Sequence, residues 1–188
     1  GVGSLRLGES FAEDYYLPNR TAYSETCASI AMVFFAQRML HLDLNSEYAD
    51  CIERCMYNSI LSGVSLDGDS FFYENPLEIS PKLNNIKPSC LPQFAYSRES
   101  IFSFAKTKRP HLYDCSCCPP NILRFIASLG NYMYSYTKNT VYIHQYATSY
   151  TEDNGIILQQ TTNYPSSGEV FIKCATMGRK IAVRIPGW

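Results

Sequence analysis

Three cysteines stand within four positions of the stretch "DCSCCPPN": Cys115, Cys117 and Cys118. Neighbouring cysteines such as Cys117 and Cys118 make a strained disulfide with each other. Held in an extended corner, their thiolates can instead bind one metal ion. Zinc takes four tetrahedral ligands, often cysteine and sometimes a carboxylate. Pro119 keeps Cys118 out of helical backbone, and Pro120 suits a first helical turn. The corner therefore lies at a helix N-terminus, where the dipole lowers a thiol pKa and favours reactivity. Three readings follow from these residues alone: a structural zinc site, a sulfur that is both ligand and nucleophile, or a redox-sensitive thiol cluster.

A second candidate is "SETC", with Glu25 and Cys27 two residues apart. On one helix two such side chains point about 200° apart. They can address one target only if the segment is extended or lies just ahead of a helix, which Ser24 and Thr26 make reasonable. The plain alternative is that Glu25 is a first-turn carboxylate complementing the helix dipole. Further carboxylates are Glu9 in "LGES", Glu53 inside a helix, and Glu74 in "FFYENP". Each by itself is expected to be a solvated or hydrogen-bonded acid. A retaining glycosidase needs two such groups about 5–5.5 Å apart across the scissile bond. The histidines His41, His111 and His144 have no metal-ligand spacing and are expected to be ordinary.

The elements that must carry these residues are helices first and strands later. "TCASIAMVFFAQRML", from Thr26 to about Leu40, is apolar on nearly every face and reads as a helix buried in a multi-helix body. A second helix starts at Ser46, with Tyr48, Ile52, Cys55, Met56 and Ser59 or Ile60 at helical spacing and Gly63 as its stop. Residues 64–77 read as a hairpin turning at Asp67-Gly68. Another helix is expected near 97–106. "PNILRFIASLGNYMY" is amphipathic, with Ile122, Phe125, Ile126 and Leu129 on one face. After about residue 137, short β-rich runs alternate with turn residues. Residues 1–137 and 138–188 are the two expected domains. Cys51, Cys55, Cys90 and Cys174 read as core thiols or bystanders.

Composition excludes several classes. Of 188 residues, 16 are basic and 17 acidic, so a net charge of -1 offers no footprint for nucleic acid or an anionic membrane. The run "IAMVFFA" is far too short to span a bilayer. The chain opens without a secretory signal and reads as a piece of a longer protein. Eight cysteines are too few for a disulfide scaffold. Zinc thiolates lean toward a reducing, cytoplasmic setting.

Taken in order, "GES", "DYYLPNRTAYSETCASIAMVFFAQRML", "ERCMYNSILSGVSLDGDSFFYENPL", "DCSCCPPNILRFIASLG" and "RIPGW" resemble glycoside hydrolase family 127, whose type activity is a retaining β-L-arabinofuranosidase. The resemblance implies the C-terminal part of an (α/α)6 barrel followed by the first strands of a β-sandwich. It implies a zinc enzyme acting on arabinofuranose-containing glycans. Glu25, Cys27, Cys117 and Cys118 then match the zinc ligands, Cys117 also the nucleophile, and Glu9 the general acid/base. Glu53 and Tyr73 match residues that position substrate or nucleophile. The family's N-terminal barrel half and its substrate-binding histidines are expected to lie outside this chain. The stretch from Pro81 to Arg109 departs from the family pattern and is expected to be an insertion at the pocket rim.

Overall fold

The structure is a computed structural model and describes residues 14–16, 18–19, 22–79, 106–112 and 115–188. Glu9, Cys90 and the helix expected near 97–106 (all but its last residue) lie outside these. The order of elements is helices, then strands in two small sheets. Contacts divide the chain into two compact units, one within Gly1–Phe35 and Arg54–Phe125, the other within Ala36–Glu53 and Ile126–Trp188. No helix among the described residues is long and apolar enough to cross a membrane.

Helix α1 spans Thr26–Leu42. Its composition predicts burial all round, but of its apolar residues only the stripe Ile30, Val33 and Ala36 is fully buried. Met32 and Phe35, on other faces, are 43% and 56% exposed. Three-residue spacing keeps the buried set on one side, and what this chain packs covers that side alone. Helix α2 spans Ser46–Cys55 and passes directly into a π-helical turn, Met56–Leu61. Ile52 and Ile60 are buried as the spacing predicts, and so are the charged Asp50 and Glu53. Gly63 ends this element for a packing reason rather than a left-handed backbone. A Cβ there would stand 2.9 Å from the Ser59 carbonyl oxygen.

The expected hairpin at 64–77 is present as a turn with almost no ladder. Gly68 has φ 78°, and Val64 and Phe71 form a single antiparallel bridge. Helix α3 spans Cys118–Ala127 and α4 spans Gly130–Met133. Ile122 and Phe125 are buried, whereas Ile126, expected on the same face, is 47% exposed.

Strand structure starts at β1, Tyr134–Tyr136, slightly ahead of the change in residue pattern at 137. β2 (Thr140–Ile143) lies between β1, antiparallel, and β6 (Lys180–Val183), parallel. β3 (Ser149–Asp153), β4 (Ile156–Thr162) and β5 (Val170–Ala175) form an antiparallel sheet. In β4, Ile156, Leu158 and Gln160 are buried and alternate with exposed Ile157 and Gln159, the period-two pattern of a half-buried sheet. Val141, Ile143, Tyr146, Ile156 and Leu158 make the core of this unit.

Candidate metal and nucleophile centre

Two helix starts place the chemistry within the first unit. Ahead of α1, the segment Ser24–Thr26 is zipped to the segment Phe72–Asn75. Thr26 N–H donates to the Tyr73 carbonyl at 2.9 Å and its hydroxyl to the Phe72 carbonyl at 2.8 Å. Asn75 donates from its backbone N–H to the Ser24 carbonyl at 3.1 Å, and from Nδ2 to the Thr26 hydroxyl at 2.9 Å. This pairing holds Glu25 in extended backbone, bridged to Glu74, with the helix starting at the next residue. The Glu25 carbonyl accepts from the N–H groups of Ala28 and Ser29 at 3.0 and 3.2 Å, so Glu25 stands at the cap position and Cys27 in the first turn. The arrangement that Glu25 and Cys27 need in order to share a target is therefore met. The second helix start repeats it. Cys117 lies just ahead of α3, but Cys118, which Pro119 is expected to keep out of helical backbone, is instead its first residue, because the helix starts at Cys118 with both prolines inside its first turn. Prolines are tolerated there because those N–H groups lack helical partners in any case.

Glu25, Cys27, Cys117 and Cys118 converge, each with one ligand atom, all within 4.8 Å of one another. Cys27 Sγ is 3.5 Å from Cys117 Sγ and 3.6 Å from Cys118 Sγ. The Cys117 and Cys118 sulfurs are 3.9 Å apart, and Cys117 Sγ is 3.4 Å from Glu25 Oε1. Tetrahedral zinc with sulfur bonds of about 2.3 Å separates its sulfurs by roughly 3.8 Å. The donor set and its spacing thus fit one tetrahedral metal. No disulfide joins any two of the described cysteines.

The environment differs among the three sulfurs. Cys27 is held down at about 7, chiefly by its hydrogen bond with Cys118, with Asn121 and Cys117 helping against the opposing effect of burial. Cys117 is pushed up to about 12, first by burial and then by its contacts with Cys27 and Cys115, while the Tyr73 hydroxyl works in the other direction. Cys118, completely buried, is raised further still, first through its hydrogen bond to Cys27 and then by burial. Two helix N-termini aim their dipoles at the group, which favours the anionic forms a metal requires.

Tyr73, expected as a positioning residue, is buried beside this cluster. Its hydroxyl accepts from Tyr23 at 3.2 Å, their rings meet edge to face at 5.9 Å, and it contacts Cys117. Burial, then the Tyr23 contact, raises its pKa well above the usual phenol range, so it is a neutral donor at any working pH.

Glu53 lies in the second unit with a different set of partners. Its Oε1 accepts from Arg184 Nη2 at 2.9 Å and from the Tyr164 hydroxyl at 2.7 Å. Its Oε2 accepts from Trp188 Nε1 at 3.0 Å and Arg184 Nη1 at 3.2 Å. Asp50 pairs with the same guanidinium and accepts from the Gly187 N–H at 2.9 Å. A Cβ on Gly187 would meet Asp50 Oδ2 at 2.7 Å, which explains glycine in "RIPGW". That terminal motif is thus a clasp on α2.

Two residues of the centre escaped the sequence reading. Glu74 was expected to be an ordinary solvated or hydrogen-bonded acid. It is 4% exposed, and its Oε1 has no hydrogen-bond partner among the described residues. Burial first, then the nearby Glu25 charge, pushes it up to about 8. Pairing with the extended Glu25 segment puts it there, and no local pattern announces that. Asn121 is the other: its Nδ2 donates to Cys27 Sγ at 3.1 Å. A signal existed, since Asn121 follows Cys118 by three residues on one helix and so shares its face.

Of the histidines, His41 bonds Gln37 and His111 is exposed beside Asp69. His144 is buried with Nε2 2.7 Å from the Ser135 hydroxyl, and burial lowers it to about 4. Each is occupied in structure. A cavity of about 690 Å³ lies within the second unit, lined in part by His41, Tyr134, Tyr136, Tyr142 and His144. None of the four clustered ligand residues lines it.

Comparison with known proteins completes the site. A family model described as "Beta-L-arabinofuranosidase, GH127 catalytic domain" matches residues 1–131. The chain is 43% identical over 148 residues to a non-reducing end beta-L-arabinofuranosidase of Bifidobacterium longum subsp. longum, covering 77% of this chain and 20% of that protein. Its structure is similar to that of Ara127N-Se, a GH127 beta-L-arabinofuranosidase from Geobacillus stearothermophilus T6. The TM-score is 0.83 and the identity 42%, over 100% of this chain and 29% of that one. A second GH127 beta-arabinofuranosidase structure, BT3674, aligns with a TM-score of 0.78 and 36% identity, over 96% of this chain and 26% of the other. The chain therefore spans about a fifth of the curated relative's length and under a third of these structures.

Proposed function

The chain belongs to the GH127 beta-L-arabinofuranosidase family, and from that premise we propose that the protein carrying it hydrolyses terminal β-L-arabinofuranosides with retention of configuration, using Cys117 as nucleophile. In this reading the helical part belongs to an (α/α)6 barrel and the strands open a β-sandwich. The observation that carries the proposal is the convergence of Glu25, Cys27, Cys117 and Cys118 at two helix starts. These four would hold zinc, which when bound supplies a Lewis acid that keeps cysteine deprotonated at neutral pH.

The chain's own residues do the rest. Cys118 is fully buried and serves only as a holder, while Cys117 is partly exposed. The Cys117 sulfur attacks the anomeric carbon, forming a C–S bond as the glycosidic C–O bond breaks. Glu9, as general acid, gives its proton to the departing oxygen. In the second half Glu9 takes a proton from water, whose oxygen attacks the same carbon and breaks the C–S bond. Two inversions give net retention. Tyr73 donates its hydroxyl proton to Cys117 and fixes the sulfur's direction. Glu53 acts at one remove, because its oxygens already accept from Arg184, Tyr164 and Trp188. The substrate is an arabinofuranose-containing glycan.

The test is Cys117→Ser in the complete polypeptide, assayed with an aryl β-L-arabinofuranoside. Turnover is expected to fall by about a thousandfold or more, with the fold retained, since a serine hydroxyl is a poor substitute for an activated thiolate. Turnover within a few fold of the parent removes Cys117 from the chemistry.

A further inference from the structure

Asn121 stands in the first turn of α3, one helical step beyond Cys118. Its side chain has two different neighbours. Arg124 Nη1 lies 3.3 Å from Oδ1, and Cys27 Sγ lies 3.1 Å from Nδ2. The direction of both contacts is fixed by chemistry. A guanidinium has donors only, so the amide oxygen must face Arg124 and the N–H must face the sulfur. Arg124 is itself anchored, its guanidinium stacked 4.9 Å over the Phe34 ring. Phe34, Arg124 and Asn121 thus form a chain of contacts that ends in one N–H aimed at one sulfur.

We infer that Asn121 is a positioning residue that assigns different jobs to the three cysteines: its amide N–H draws charge from the Cys27 sulfur and keeps it a passive ligand, leaving Cys117 as the sulfur that reacts. This rests on the reading of Cys117 as nucleophile. A hydrogen bond to a thiolate is charge-assisted and reduces the electron density available for attack. Cys27 needs such restraint because it is not fully buried, and its sulfur stands only 3.5 Å from that of Cys117. Cys118 needs none, being fully buried. Cys117 also meets a donor, the Tyr73 hydroxyl, but a hydroxyl rotor can turn toward another acceptor. The Asn121 amide cannot turn, because rotating it would set its N–H groups against the Arg124 guanidinium. The restraint on Cys27 is permanent and that on Cys117 is releasable.

The test uses the complete polypeptide loaded with zinc and treated with limiting iodoacetamide, with the alkylated cysteine located by peptide mass spectrometry. In the parent, alkylation is expected at Cys117 in preference to Cys27. Asn121→Ala is expected to raise the Cys27-to-Cys117 ratio by about three- to tenfold, the order set by losing one hydrogen bond to a charged sulfur. Cobalt(II) substitution gives a readout independent of turnover. The thiolate-to-cobalt charge-transfer band should move to lower energy in the variant, because the freed sulfur donates more strongly. Should Asn121→Ala fail to hold metal, Arg124→Met decides instead. Arg124→Met keeps the side chain's apolar length against Phe34 while removing the donor that locks the amide, and is expected to give the same shift in smaller measure. An unchanged alkylation ratio and an unmoved band in a metal-loaded variant overturn the inference. That failure is distinct from failure of the nucleophile assignment, which would show as parent protein alkylated no more readily at Cys117 than at Cys27.

Discussion

Arg184 is the most consequential single side chain of the second unit, and replacing it tests how that unit is held. It is 5% exposed and serves two buried carboxylates, Asp50 and Glu53. In Arg184→Met the apolar bulk remains but both anions lose their cation. Breaking a buried pair by removing one partner costs about 3–5 kcal/mol, because an uncompensated charge stays behind. Here the lower end applies, since the stranded groups keep other donors: Tyr164 and Trp188 for Glu53, and the Gly187 N–H for Asp50. A loss of about 3 kcal/mol makes local opening roughly a hundredfold more frequent. Hydrogen exchange of the α2 and β6 amides in the complete polypeptide reads this directly. Adding Glu53→Gln removes one stranded charge and is expected to restore about 1–2 kcal/mol. The reasoning is refuted if the single variant exchanges less than about tenfold faster, or if the double variant is no slower than the single one.

Glu74 gives a pH signature. Its folded-state pKa is raised from 4.5 to about 8, so the folded metal-free protein binds a proton that the unfolded chain has released. Stability is then full below about pH 4.5 and declines as pH rises through 8. Urea midpoints of the metal-free protein between pH 5 and 9 should fall for the parent and stay nearly level for Glu74→Gln, by on the order of 1–3 kcal/mol across the window. Parallel curves for the two proteins would remove Glu74 as the cause.

Much of the candidate site was legible because its residues are marked by type and by local grammar. Cys117 and Cys118 beside two prolines, and Glu25 with Cys27 ahead of an apolar run, could be placed at helix starts from backbone rules alone. The rest depended on pairings distant in sequence. Glu74 becomes a buried acid only because Phe72–Asn75 zips onto the segment before α1, some fifty residues away. Glu53 could be tied to Arg184 and Trp188 only in three dimensions, at sequence separations of 131 and 135. Apolar composition misled at α1, where a sequence apolar on nearly every face is buried along one stripe in this chain. The strands from β2 onward were legible because alternation and turn residues punctuate them. The start of β1 was not, because "NYMY" continues the helical spacing of α3 until the backbone changes at Tyr134.

On the proposal that Cys117 is the nucleophile, the differing acidities of the three sulfurs set an order of thiol reactivity. Without metal, Cys27 is held at about 7 and Cys117 is pushed up to about 12, so near neutral pH the thiolate sits on Cys27 and not on Cys117. A metal that deprotonates all its cysteines removes acidity as the deciding factor, and intrinsic basicity takes over. Thiolate nucleophilicity rises with pKa, so the loaded cluster favours Cys117, which burial raises, over Cys27, which its hydrogen bonds lower. Cys118 is more basic still but has no exposed surface from which to react. Removing zinc with a chelator should therefore invert the order of reactivity. Iodoacetamide at pH 7.5 should label Cys27 first in the metal-free protein and Cys117 first in the loaded one. Labelling at Cys117 first in both states would mean that access alone, and not the electronics of the cluster, selects the nucleophile.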